Sequence, residues 1–74
     1  MYYVYFKQSG KPRVRISGAE TMTEADAMAW VEALHEVACG VPTNTVTELH
    51  HTGSFVVTRG KTRIFVAIRN ELYD

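Results

Sequence analysis

His35 and Cys39 stand four residues apart, and His50 and His51 follow as an adjacent pair. On a helix, positions i and i+4 are neighbours, so the first pair has the spacing of a thiol beside an imidazole base. Together the four side chains also hold the nitrogen and sulfur donors that zinc prefers. Neither chemistry is completed by what surrounds them. There is no Cys-x-x-Cys pair, the chain has a single cysteine, and adjacent residues of a strand point to opposite faces. No third residue stands where it would orient the imidazole. The expectation is therefore no metal, no cofactor and no enzymatic activity, with Cys39 a small buried apolar side chain and His35 at the helix edge.

Charge carries more information. The eight basic residues, Lys7, Lys11, Arg13, Arg15, Arg59, Lys61, Arg63 and Arg69, all lie outside the segment 16–58. Glu20, Glu24, Asp26, Glu32 and Glu36 lie inside it. A net charge of zero thus conceals two local fields of opposite sign, and it is local charge that steers a partner.

At 74 residues the chain makes a single domain, 1–74, with one modest core. A core this size contributes only a few kcal/mol of net stability, which leaves a homodimer open. One cysteine excludes an intrachain disulfide and fits a reducing, cytoplasmic setting. Met1 to Phe6 lacks the basic region and cleavage site of a signal peptide. No apolar run approaches the roughly 18 residues of a membrane span.

Residues 2–8 are aromatic and β-branched and read as a strand. Ser9-Gly10-Lys11-Pro12 is a turn by composition, and Arg13 to Ser17 alternates, with Val14 and Ile16 on one face. These two segments form a hairpin. Gly18 leads toward a helix over 24–39. Thr23 is its N-cap, Asp26 completes a near capping box, and Met22 with Ala27 has the spacing of a hydrophobic staple. Glu24 and Asp26 suit the helix dipole, and Gly40 followed by Pro42 stops the helix. At about 100° per residue, Ala27, Trp30, Val31, Leu34, Val37 and Ala38 share one face, so Trp30 and Leu34 are expected against Ile64 and Val66. Strands follow at 45–51, 54–58 and 62–69, with turns at Thr52-Gly53 and Arg59-Gly60-Lys61. The fold class is α+β: one helix packed on an antiparallel sheet, in the order ββαβββ.

With Val14, Ile16, Ile64, Val66 and Ile68 turned to the helix, their alternates Arg13, Arg15, Arg63, Phe65 and Arg69 face outward. Period alone does not say which side of the first strand faces in, since both are apolar, but Val4 and Phe6 favour Tyr2, Val4 and Phe6 inside, which sends Tyr3, Tyr5 and Lys7 out. Nothing obvious covers this face. Arginine interleaved with aromatic rings suits an acidic protein, since Arg and Tyr are favoured anchors. It also suits single-stranded nucleic acid, where bases stack and phosphates pair. The plainer account is a solvated face whose arginines cover rings and protect edges. The expected partner-binding residues are Tyr3, Tyr5, Lys7, Arg13, Arg15, Arg63, Phe65 and Arg69. A pI near 6.8 is below the value above about 9 typical of nucleic-acid binders, so nucleic-acid binding is expected to be weak.

The helix offers a second surface. Glu32 and Glu36 lie one turn apart beside the row Ala25, Ala29 and Ala33. Carboxylates at that spacing suit a basic groove that ordinarily holds phosphates, and alanines permit close approach. Ala and Glu are also simply good helix formers. Glu32, Glu36, Ala29 and Ala33 are the second-choice interface.

In architecture and charge layout, the hairpin Tyr2–Ser17, the acidic helix Glu24–Cys39 and the meander Thr45–Arg69 resemble the small one-helix-on-a-sheet inhibitors that phages encode, several anti-CRISPR proteins among them. The resemblance spans the chain and rests on no shared motif, so it carries over no functional residue. It implies a non-enzymatic protein in the host cytoplasm that blocks a nucleic-acid site on a larger host complex. Such inhibitors are often strongly acidic overall, and this chain is neutral. The alternative expectation is a nucleic-acid-binding module that uses the basic, aromatic sheet face.

Overall fold

In a computed structural model of the protein, residues 1–16 and 23–73 are described. The elements are β1 (Tyr2–Gln8), β2 (Val14–Arg15), α1 (Glu24–Cys39), β3 (Thr45–Val46), β4 (Ser54–Arg59), β5 (Thr62–Asn70) and a 3-10 turn at Glu71–Tyr73. The order ββαβββ is the one read from the sequence. Ser17, Gly18 and Met22 lie outside the described residues, and with them the proposed lead-in and staple.

All strand pairs are antiparallel, in the spatial order β2-β1-β5-β4-β3. The first and last long strands are central partners, matched from Tyr2↔Asn70 to Gln8↔Ile64. This non-local pairing closes the domain. Both edges are two-residue strands, short enough to offer little template to another chain. The third predicted strand shrinks accordingly: of 45–51 only Thr45–Val46 is strand, one further ladder bond runs from the Thr47 amide to the Val56 carbonyl at 3.0 Å, and pairing returns as the bridge His50↔Ser54. The ladder ends there because the Thr47 hydroxyl, in place of a backbone carbonyl, accepts from the Val56 amide. The second strand shortens too, to Val14–Arg15, just after Pro12, which has no amide to give a ladder.

The β4–β5 turn is Gly60-Lys61, with Arg59 opposite Thr62 and Gly60 at φ +60°. That is a turn with glycine at the first central position, whose twist matches a hairpin. Helix α1 begins as its sequence dictates. The Thr23 hydroxyl accepts from the Asp26 amide at 3.1 Å, and the Asp26 carboxylate accepts from the Thr23 amide at 3.4 Å. At the other end the Asn44 side chain donates to the Ala38 carbonyl at 3.1 Å, satisfying one of the last open acceptors.

Val4, Ala27, Val31, Phe55 and Val66 form the buried core. Tyr2, Val4 and Phe6 do face the helix. The helix, however, is rotated from the expected face: Trp30 is 46% exposed and Val37 69% exposed. Trp30 is thus not buried against Ile64 and Val66, and Leu34 only half so. The cause lies on the opposite flank. Gly53 has no side chain, so Met28 sinks until a Cβ there would lie 2.7 Å from its sulfur. Two turns on, His35 meets Phe55 edge-on, ring centres 4.9 Å apart, and pairs with the Thr47 carbonyl at 2.9 Å. These contacts hold the Met28–His35 flank inward, and the Trp30–Val37 flank is left exposed.

Candidate functional site

Cys39 is exposed, not buried as expected, and it stands beside the His35 imidazole. A carbonyl only accepts, so Nε2 of His35 carries the proton it gives to Thr47. The Cys39 sulfur is 3.9 Å from both ring nitrogens. The His50 and His51 rings stack at 4.3 Å, and Nδ1 of His50 is taken up by Thr52. Among the described residues no group of three or more His, Cys, Asp or Glu is arranged to hold a metal.

The face of the sheet away from the helix carries the expected alternates. Tyr3, Tyr5 and Phe65 run diagonally across β1 and β5, their ring centres 6.1 and 6.2 Å apart. Ala67 lies between Tyr5 and Ser54 in the ladder, and its small side chain lets the rings close over it. The row is nevertheless divided into two unlike halves.

At the β2 end the basic residues turn inward. The Arg15 guanidinium stacks 4.0 Å above the Tyr3 ring and pairs with Glu71 at 2.6 Å. Arg13 lies over Tyr5 at 5.0 Å and donates to the Tyr3 hydroxyl at 3.0 Å. Arg69 donates to the Tyr73 carbonyl at 2.7 Å. The result is a Tyr3 only 2% exposed on a face that has no second layer. The expectation that nothing covers this face is corrected here. A guanidinium is planar and weakly hydrated, so it packs over a ring while keeping its hydrogen bonds. The C-terminal 3-10 turn supplies the acceptors.

At the other end the face stays open. Lys7 is opposite Phe65 in the β1–β5 ladder, and Arg63 lies two residues before Phe65 on the same side of β5. Among the described residues neither cation has an ion-pair partner. With Ser9 and Val56 they line a shallow concavity of about 280 Å³ around a ring that is 39% exposed. Of the eight side chains expected on this surface, Lys7, Arg63 and Phe65 are thus displayed. Tyr5 is half-buried, and Tyr3, Arg13, Arg15 and Arg69 are engaged within the molecule.

Glu32, Glu36, Ala29 and Ala33 are all exposed on α1, as expected. Ala29 and Ala33 do not border only carboxylates. They flank the exposed Trp30 beside a hollow of about 330 Å³. Periodicity placed Trp30 in the core because it centres on the densest apolar stripe, which leaves out Met28 and the polar His35 that form the helix's inward flank.

No protein-family model matches this chain, and no curated protein and no solved structure matches it. Among the described residues no helix is long and apolar enough to cross a membrane.

Proposed function

We propose that this is a non-enzymatic binding protein whose interface is the open half of the sheet, Lys7, Arg63 and Phe65, and whose partner is an acidic protein surface. The observation that carries the reading is the exposed Phe65 ring set between two unpaired cations in a concavity. A half-exposed aromatic anchor with flanking charges is the composition of an interface hot spot. Arg63 can take a carboxylate bidentately, and Lys7 adds a point charge that steers approach. The fuller proposal is an inhibitor of the kind phages encode, docked on a host nucleic-acid-handling complex through these charges.

The nucleic-acid reading draws on the same cations but has less to stack on. A single-stranded binder uses successive exposed rings, and here Tyr3 is covered and Tyr5 half-covered. Two phosphate contacts on a single strand would give a salt slope of only about −1.4.

The test is capture of the partner from host lysate, followed by titration with the purified partner. Lys7→Glu with Arg63→Glu should weaken binding at least about tenfold, the order expected for losing charged contacts at an anchor. Arg13→Glu with Arg15→Glu should do less per charge, and Glu32→Lys with Glu36→Lys least. If the helix reversal abolishes binding and the Lys7–Arg63 reversal leaves it intact, the acidic helix is the interface.

A further inference from the structure

The tyrosine end of the sheet face already holds a carboxylate, and it is the chain's own. Glu71 pairs with Arg15 at 2.6 Å, and the Arg15 guanidinium lies 4.0 Å above the Tyr3 ring. Two residues on, the Tyr73 carbonyl accepts from Arg69 at 2.7 Å. A carboxylate, a guanidinium and a ring thus meet at this end.

We infer that this end is a second carboxylate subsite, closed by the turn Glu71–Tyr73 and taken over by an acidic polypeptide segment of the partner. The inference rests on the reading of Lys7, Arg63 and Phe65 as the primary contact, which it extends along the aromatic row.

The turn is lightly held. It buries none of its side chains, and Leu72 and Tyr73 are 81% and 75% exposed. Its ties are polar. The Glu71 amide donates to the Met1 carbonyl at 2.8 Å, and the Leu72 amide to the Asn70 side chain at 3.0 Å. The ion pair joins side chains that are 44% and 28% exposed. A pair so open to solvent contributes little, because water and other carboxylates compete for the same cation. An element without an apolar anchor opens locally while the rest of the fold stays closed.

Charge and spacing say what replaces it. Arg13 lies over Tyr5 and Arg69 stands opposite Tyr3, so with Arg15, Lys7 and Arg63 the cations line the whole row. A segment with several carboxylates meets countercharge along its length. The ring centres from Tyr3 to Tyr5 and from Tyr5 to Phe65 are 6.1 and 6.2 Å apart. Extended chain advances about 3.3 Å per residue, so carboxylates about four residues apart reach both ends. The group seated here is a glutamate carboxylate with a main-chain carbonyl two residues on. That makes the occupant an acidic polypeptide and not a nucleic-acid strand.

The probe is dye-labelled oligo-L-glutamate, titrated at low salt by fluorescence anisotropy. Glu71→Gln should bind it about two- to fivefold more tightly than wild type, the factor by which an exposed ion pair favours the closed turn. The gain should vanish in an Arg15→Gln background, where a general loss of negative charge would leave it intact. Hydrogen exchange of the Glu71 amide should quicken as the probe saturates wild type. Should Glu71→Gln fail to fold by far-UV CD, exchange in wild type decides. Equal or weaker binding by a folded Glu71→Gln overturns the inference. So does a gain that survives Arg15→Gln, unaltered Glu71 exchange in saturated wild type, or no binding of oligo-glutamate by either form. A gain for a single-stranded oligonucleotide alone overturns it in favour of phosphates. Lys7→Glu with Arg63→Glu should abolish probe binding in wild type. If binding instead persists, and with it the gain from Glu71→Gln, the primary contact is wrong and the second subsite stands.

Discussion

Replacing Gly53 by alanine tests how the helix sits on the sheet. Gly53 has φ +90°, a conformation that costs an L-residue about 1–2 kcal/mol. The new Cβ would also lie 2.7 Å from the Met28 sulfur and 3.2 and 3.3 Å from two Ile68 carbons. Met28 is flexible and can yield, but Ile68 is β-branched and held in the central strand, so overpacking adds about 1–3 kcal/mol. The total is about 2–5 kcal/mol, much of what a domain this size has. Gly60→Ala is the internal control. It has a positive φ of 60° and nothing within 4 Å of the new methyl, so it should cost only the backbone share, about 1–2 kcal/mol. Both are read by urea denaturation followed by far-UV CD at one fixed protein concentration, with the m-value unchanged. Adding Met28→Ala to Gly53→Ala should recover part of the loss, a favourable coupling in a double-mutant cycle. If Gly53→Ala is no worse than Gly60→Ala, Met28 is not seated against the turn and the account of the rotated helix is wrong.

Val31→Ala should cost about 1.5–3 kcal/mol, because its side chain is fully buried, and an unchanged Tm would show that the helix presents another face. Thr23→Ala removes the capping box and should cost about 1 kcal/mol by the same urea assay; no loss would mean that Asp26 or water replaces the cap. Elemental analysis of protein purified without chelator should find no zinc, and one zinc per chain lost on Cys39→Ser would contradict that. Duplex DNA should not be bound specifically, and single strands at most weakly and with salt sensitivity; sub-micromolar binding at physiological salt that disappears in Arg63→Ala with Phe65→Ala would place nucleic acid first.

Where local rules are strong, the elements were legible from the chain alone. Thr23 with Asp26 and Gly40 with Pro42 bounded the helix at residues 24–39, because capping and termination are decided within one turn. Alternation over Thr62–Arg69 and the glycine of the Arg59-Gly60-Lys61 turn announced the last hairpin for the same reason. Period alone did not choose between the two faces of β1, both apolar, and only the weaker preference for Val4 and Phe6 inside pointed to Tyr2, Val4 and Phe6. The weaker edge strands were overestimated. A run rich in β-formers pairs only as far as a neighbour offers its ladder, and Thr47 and Pro12 interrupt it.

The chain's own residue order determined which side chains share a strand face or a helix turn, and that is enough to name one helix on an antiparallel sheet. What it left undecided are the contacts between elements. The missing side chain at Gly53 leaves room for Met28 on the inward flank, and Trp30 and Val37 are left outside, although periodicity had grouped them with the core. The return of the 3-10 turn at Glu71–Tyr73 took Arg15 and Arg69 into internal pairs and buried Tyr3, so that Lys7, Arg63 and Phe65 are the displayed remainder of a surface that looked uniform in sequence. Period and propensity act over a few residues, whereas a missing methyl or an acceptor 56 residues away acts only once the chain has closed on itself.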